Sequence, residues 1–96
     1  MKKITQKELD KKIKSHQEWL KDINEGERLV LNGYNLSSLN LVGVNLKYAE
    51  FSGSDLSYTS FFNSDLKYAD LGNANLFSAD LENVNLEVAY LHNSNL

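Results

Sequence analysis

The side chains of this 96-residue chain that could move protons near neutral pH are two histidines, His16 and His92, and there is no cysteine. That excludes a disulfide framework, a thiolate zinc site and a thiol nucleophile. Two histidines so far apart, with no cysteine beside them, do not make a metal-ligand set, and nothing in their placement brings Ser, His and Asp together as a triad. There is no phosphate-binding loop, dinucleotide fingerprint or calcium loop. Serine and aspartate are frequent, but both bond to neighbouring backbone at turns, which explains them without catalysis. A non-catalytic protein with no cofactor and no metal is expected. His16 falls on an apolar stripe, the place of a hydrogen-bonded or rim histidine, and His92 stands alone at a turn.

The elements that carry these residues divide into two segments. Residues 1–28 hold eight basic residues against six acids, and residues 29–96 hold Lys47 and Lys67 against seven acids. Asn, Ser and Gly crowd the second segment. With a formal net charge of -3 and no basic cluster in the longer segment, direct nucleic-acid binding has little electrostatic support. Lys2 and Lys3 are followed by the polar run TQKELDKK instead of an apolar stretch, so neither a secretory signal nor a membrane span is expected, and the location expected is cytoplasmic.

The first segment reads as one amphipathic capping helix with its connector. Thr5 and Glu8 have the spacing of a capping box, with Ile4 and Leu9 placed as a hydrophobic staple. Leu9, Ile13, His16, Leu20 and Ile23 follow a helical stripe, and Asn24 and Gly26 supply stop signals. The stripe must be covered, and Leu9, Ile13, Leu20 and Ile23 are the expected contacts.

From Leu31 to Leu96 a large apolar residue recurs at every fifth position, and in most units the residue before it is Asn or Asp. A helix would spread these residues around its cylinder, and a straight strand would throw alternate ones into water. The chain must therefore turn a corner once per unit, with three residues forming each side. Two places after each apolar residue, Gly33, Gly43, Gly53, Asn63, Asn73, Asn83 and Asn93 suit positive φ. The intervening Ser38, Tyr48, Tyr58, Tyr68, Ser78 and Val88 should resist it, which predicts two alternating corner types and hence an even, four-sided coil.

Units such as YADLG, NANLF, SADLE and NVNLE resemble the pentapeptide-repeat proteins, whose pattern is A(D/N)LXX. The resemblance covers residues 29–96. It implies an all-β solenoid, a right-handed quadrilateral β-helix of about three and a half coils, capped at its N-terminus by the one α-helix. Leu29, Tyr34, Leu39 and Val44 replace the usual small residue in the first coil, and Val30, Glu50, Ser60 and Tyr90 replace Asn or Asp. The opening TQKELDKKIKSHQEWL resembles the helical leader of some small prophage-encoded members.

A β-helix exposes an unpaired edge and a disc of core at each end. The helix is the natural lid at the first. At the other end Leu81, Val84, Leu86, Leu91 and Leu96 are expected to form a homodimer interface, closed by a two-fold axis. Tyr48 and Tyr68 should stack on one corner beside Lys47 and Lys67, with Tyr58 on the opposite corner, either as a stabilising ladder or as a binding patch. The leading expectation is a non-catalytic structural or protein-interaction module whose partner the residues do not name. Binding to DNA gyrase by mimicry of a DNA duplex is the alternative that the resemblance brings. It would need ranks of carboxylates, and only the Val30, Glu50, Asp70, Tyr90 column places two on successive coils. An ice-binding face would need ranks of threonine, and the chain has only Thr5 and Thr59.

Overall fold

The computed structural model describes residues 1–96. Only three elements are long enough to be regular: β1 (Lys2–Lys3), α1 (Gln6–Lys21) and β2 (Tyr34–Asn35). The rest is held by single-residue parallel bridges between positions twenty apart, from Val30 with Glu50 through Asn45 with Asp65 to Asn75 with Asn95. Four five-residue units thus make one turn. The sheet is short-stranded because each side has one fully paired residue before the chain bends.

Two rows of bonds build the solenoid. Between coils, Leu46 N–H donates to the Asp65 carbonyl at 2.7 Å, and Asp65 N–H donates back to Val44 at 3.0 Å. Within each corner the bond spans three residues, as where Ala49 N–H donates to Leu46 at 3.0 Å. Every fifth apolar side chain then points to the axis, and Leu31 through Leu71 in this series are fully buried. Phe51 and Phe61 meet edge to face with ring centroids 6.2 Å apart. The small Ala49, Ser54, Thr59 and Ser64 fill the remaining space of that layer, as dense packing requires.

The corners differ from expectation. Ser38, Tyr48, Tyr58, Tyr68, Ser78 and Val88 have φ between +57° and +66°, the same region as the Gly and Asn corners. There are not two corner types. The left-handed conformation costs an ordinary residue roughly 1–2 kcal/mol, but it aims the corner N–H at the next coil. Tyr48 N–H thereby donates to Lys67 at 3.1 Å and Tyr58 N–H to Phe77 at 3.0 Å. Four sides per coil is the right count, established by the twenty-residue bridges and not by alternation.

The outward Asn and Asp residues also act at the corners. The Oδ1 atoms of Asn45, Asp55, Asp65 and Asp70 each accept the N–H two residues on, at 3.0 to 3.2 Å for the first three and 2.9 Å for Asp70. Asn and Asp serve this turn equally well, so charge is not what selects them.

Helix α1 begins at the capping box. Glu8 N–H donates to Thr5 Oγ1 at 3.2 Å, and Thr5 N–H donates to the Glu8 carboxylate at 2.9 Å. These bonds from Thr5 hold the Glu8 carboxyl below its ordinary range. Ile4 and Leu9 on either side are both buried. The helix ends at Asp22, whose N–H donates to Glu18 and whose backbone is extended, with φ −151°. That end corrects one expectation: Ile23 lies beyond it, out of helical register, and is 74% exposed. Ile23 makes no cap contact. Leu9 is buried, Ile13 packs against the core, and Leu20 is half-buried in the last turn.

Candidate functional site

The two ends of the solenoid are built differently, and the contrast starts from the backbone. In the first coil the N–H and C=O groups of the central residues on each side face away from the second coil. The N-terminal segment meets many of them. Strand β1 pairs with β2 in parallel, Lys3 opposite Asn35. On the next side the Gln6 amide replaces a strand: its Nε2 donates to the Asn40 carbonyl at 2.9 Å, and Asn40 N–H donates to its Oε1 at 2.7 Å. On the third side Gln17 Nε2 donates to Asn45 O at 2.9 Å.

His16 completes the closure and is wholly buried. Leu29 N–H donates to its Nδ1 at 2.9 Å, so Nε2 carries the proton and donates to Lys47 O at 3.0 Å. Burial, more than any other influence, lowers its pKa from the ordinary value, and Arg28 acts in the same direction. A second proton would break the bond from Leu29. His16 is therefore a neutral structural group in the folded chain.

The last coil has no such closure. Leu81, Val84, Leu86 and Leu91 are half-buried and Leu96 is 70% exposed, and together they ring the axis at the open end. The expected interface residues thus lie on one disc.

Along the sides, Tyr48 and Tyr68 stack with centroids 4.9 Å apart and planes 8° apart. The stack continues onto the helix, where Trp19 meets Tyr48 edge-on at 6.2 Å and lies against His16 at 5.6 Å. Tyr58 is on the opposite corner, edge-on to Phe77 at 5.7 Å. The three tyrosines are therefore not one patch: two tie the cap to the coils and the third pairs elsewhere. Three of the seven acids of residues 29–96 are matched by bases. Arg28 pairs with Glu50, Lys47 with Asp65 at 3.6 Å, and Lys67 with Glu87 at 3.4 Å. Its hydrogen bond to Glu87 raises the Lys67 pKa above the ordinary value.

A cleft of about 180 Å3 lies between helix and connector, lined by Lys12, Ser15, Glu27, Arg28, Leu29 and Val30. No three His, Cys, Asp or Glu side chains converge to hold a metal ion, and His92 lies beside Tyr90 at 6.0 Å. Gln6, Gln17 and Trp19 are the residues that sequence reasoning missed. Glutamine at these sites carries no periodic signal, because it acts through its amide alone.

The model of the family described as pentapeptide repeats matches the chain in eight copies, over residues 30–67, 40–76 and 69–96. The chain belongs to the pentapeptide-repeat family. Among solved structures it is similar to a pentapeptide repeat protein from Nostoc Pcc 7120, at 38% identity and a TM-score of 0.65, covering 68% of this chain and 54% of that one. It is also similar to one from the thylakoid lumen of Arabidopsis thaliana, at 35% identity and a TM-score of 0.51, covering 73% and 52%. The chain spans about half the length of each. No curated protein matches its sequence. No helix is long and apolar enough to cross a membrane.

Proposed function

We propose that this chain is a non-catalytic structural and protein-interaction module of the cytoplasm, a right-handed quadrilateral β-helix that works as a homodimer joined through its last coil. The observation that carries this reading is the contrast between the ends. One is closed by the helix, Gln6, Gln17 and His16, while the other presents Leu81, Val84, Leu86, Leu91 and Leu96 without cover. A two-fold axis lets the same disc cover itself and stops further stacking. In sedimentation velocity the chain is expected to run as a dimer at micromolar concentration, and Leu91→Glu to run as a folded monomer. A wild-type monomer at high micromolar concentration would refute the dimer.

Modulation of a type II topoisomerase by DNA mimicry is the second reading, and the charge arrangement argues against it. Glu50, Asp65 and Glu87 are each paired with a base, and Asp55, Asp65 and Asp70 are occupied in capping corners. A DNA mimic needs unpaired, regularly spaced anions. Gyrase supercoiling, with and without a quinolone, is expected to be unchanged by equimolar protein; protection from the drug would favour the mimic instead.

A further inference from the structure

The open edge is more specific than an apolar disc, because its hydrogen-bonding groups are ordered. In the interior, the residue after each central position donates to the next coil and the residue before it accepts. Leu66 N–H donates to Asn85 O, for example, and Asn85 N–H donates to Ser64 O. In the last coil the equivalent donors are the N–H groups of Leu81, Leu86, Leu91 and Leu96. The equivalent acceptors are the carbonyls of Ala79, Val84, Ala89 and Ser94, and none of these donors or acceptors has a backbone partner. Along each side an acceptor is followed by a donor, which makes the sides of this edge complementary to one another, while the corner N–H groups of Asn83, Val88 and Asn93 are further donors without a backbone partner.

We propose that a second copy of this chain pairs with this edge in one antiparallel register, with Asp80 facing the partner's Asn95 and Asn85 facing the partner's Tyr90. The inference rests on the homodimer reading and fixes its geometry. A two-fold axis across the end reverses strand direction, so the edges meet antiparallel. Pairing the first side of one last coil with the last side of the other engages all four sides. Sliding by one side either sets a side against groups already bonded between coils, such as Ala74 O, which accepts from Asn95 N–H, or leaves the Asp80 side unpaired.

In the full register Leu81 N–H donates to the partner's Ser94 carbonyl, Leu86 to the partner's Ala89, Leu91 to the partner's Val84 and Leu96 to the partner's Ala79. The symmetry repeats each bond. The end of a coil is a ramp with one step, here between Leu96 and the Phe77–Ser78 corner. An axis through that step lets the two ramps touch along their whole length.

Charge and exposure agree with this axis. Asp80 faces a neutral amide, whereas a register placing Asp80 against its own copy would oppose two carboxylates. The axis leaves through the Glu87–Val88 corner, where Glu87 is already paired with Lys67. Val88 there is a β-branched residue at φ +57° that is 66% exposed, a costly conformation with little burial in return from its own chain. On the axis it packs against its own copy.

The facing central residues form non-hydrogen-bonded antiparallel pairs, whose Cα atoms lie about 4.5 Å apart, within disulfide reach. The chain has no cysteine of its own. Asp80→Cys and Asn95→Cys variants, mixed and oxidised, are expected to cross-link at least about ten-fold faster than either variant alone, because pairing raises the local thiol concentration. Asn85→Cys mixed with Tyr90→Cys gives a second pair should one variant fold poorly. Sedimentation of the unmodified chain runs alongside. A dimer whose mixed pairs cross-link faster supports the register. A dimer in which Asp80→Cys links to itself, or in which neither mixture outpaces its single variants, overturns the register and leaves the dimer standing. A monomer at high micromolar concentration overturns both.

Discussion

Replacing Phe51 by alanine is expected to lower the unfolding free energy by about 3–5 kcal/mol, among the largest effects of any single truncation in the coils. The side chain is fully buried and its ring meets Phe61 edge to face. Its neighbours Ala49, Ser54, Thr59 and Ser64 are too small to close the space it would leave. Ser64 Oγ, moreover, is a buried polar atom with no hydrogen-bond partner, so collapse onto it would bring no compensation. The position matters as much as the volume. Coils in a solenoid touch only their neighbours, so a hole in the second coil weakens the coupling between the capped first coil and everything beyond. Chemical denaturation followed by circular dichroism should show the midpoint shift. Phe77→Ala, which truncates a ring that is 51% exposed, should stay within about 1 kcal/mol of wild type. Equal losses at Phe51 and Phe77 would show that layer packing does not set the stability.

The coil was readable in the sequence because each of its requirements repeats. Leu at every fifth residue, a small residue two before it and Asn or Asp between them are three constraints met many times over, and one exception among them changes little. The corners were less readable. A lone tyrosine or valine is a poor sign of positive φ, yet Tyr48 and Val88 adopt it because the corner N–H must reach the next coil. Propensity was outweighed by the ladder. The cap was readable in its face and start, through Thr5, Glu8, Leu9 and Ile13, but not in its end at Asp22 or in its edge-closing bonds. Those depend on where Gln6, His16 and Gln17 meet backbone 13 to 34 residues away, the longest span being that from Gln6 to Asn40. Single, unrepeated, long-range contacts leave no periodic trace.

The His16 site carries the second large expected effect. With leucine at this position, the buried Leu29 N–H and the partly buried Lys47 carbonyl would lose their partners together, and His16→Leu should cost about 2–4 kcal/mol. Glutamine can present a donor and an acceptor, so His16→Gln should recover much of that loss. The two variants also separate the role of shape from that of the proton. Above the ordinary histidine value of 6.5 the imidazole is neutral in both folded and unfolded chains and adds no pH dependence. Because its folded-state pKa is lowered, the unfolded chain takes up the proton first as the pH falls below that value. Stability is then lost until the lowered folded-state pKa is passed. The cause is local: burial disfavours the charged ring, which would also feel the Arg28 charge and forfeit the bond from Leu29. Thermal melts at pH 7.5 and pH 5 should therefore show a larger drop for wild type than for His16→Gln, which has nothing to titrate there. The Thr5–Glu8 box is common to both proteins, so its own response to acid cancels in the comparison. Equal drops in the two proteins would show that the cap is not held shut by a neutral His16.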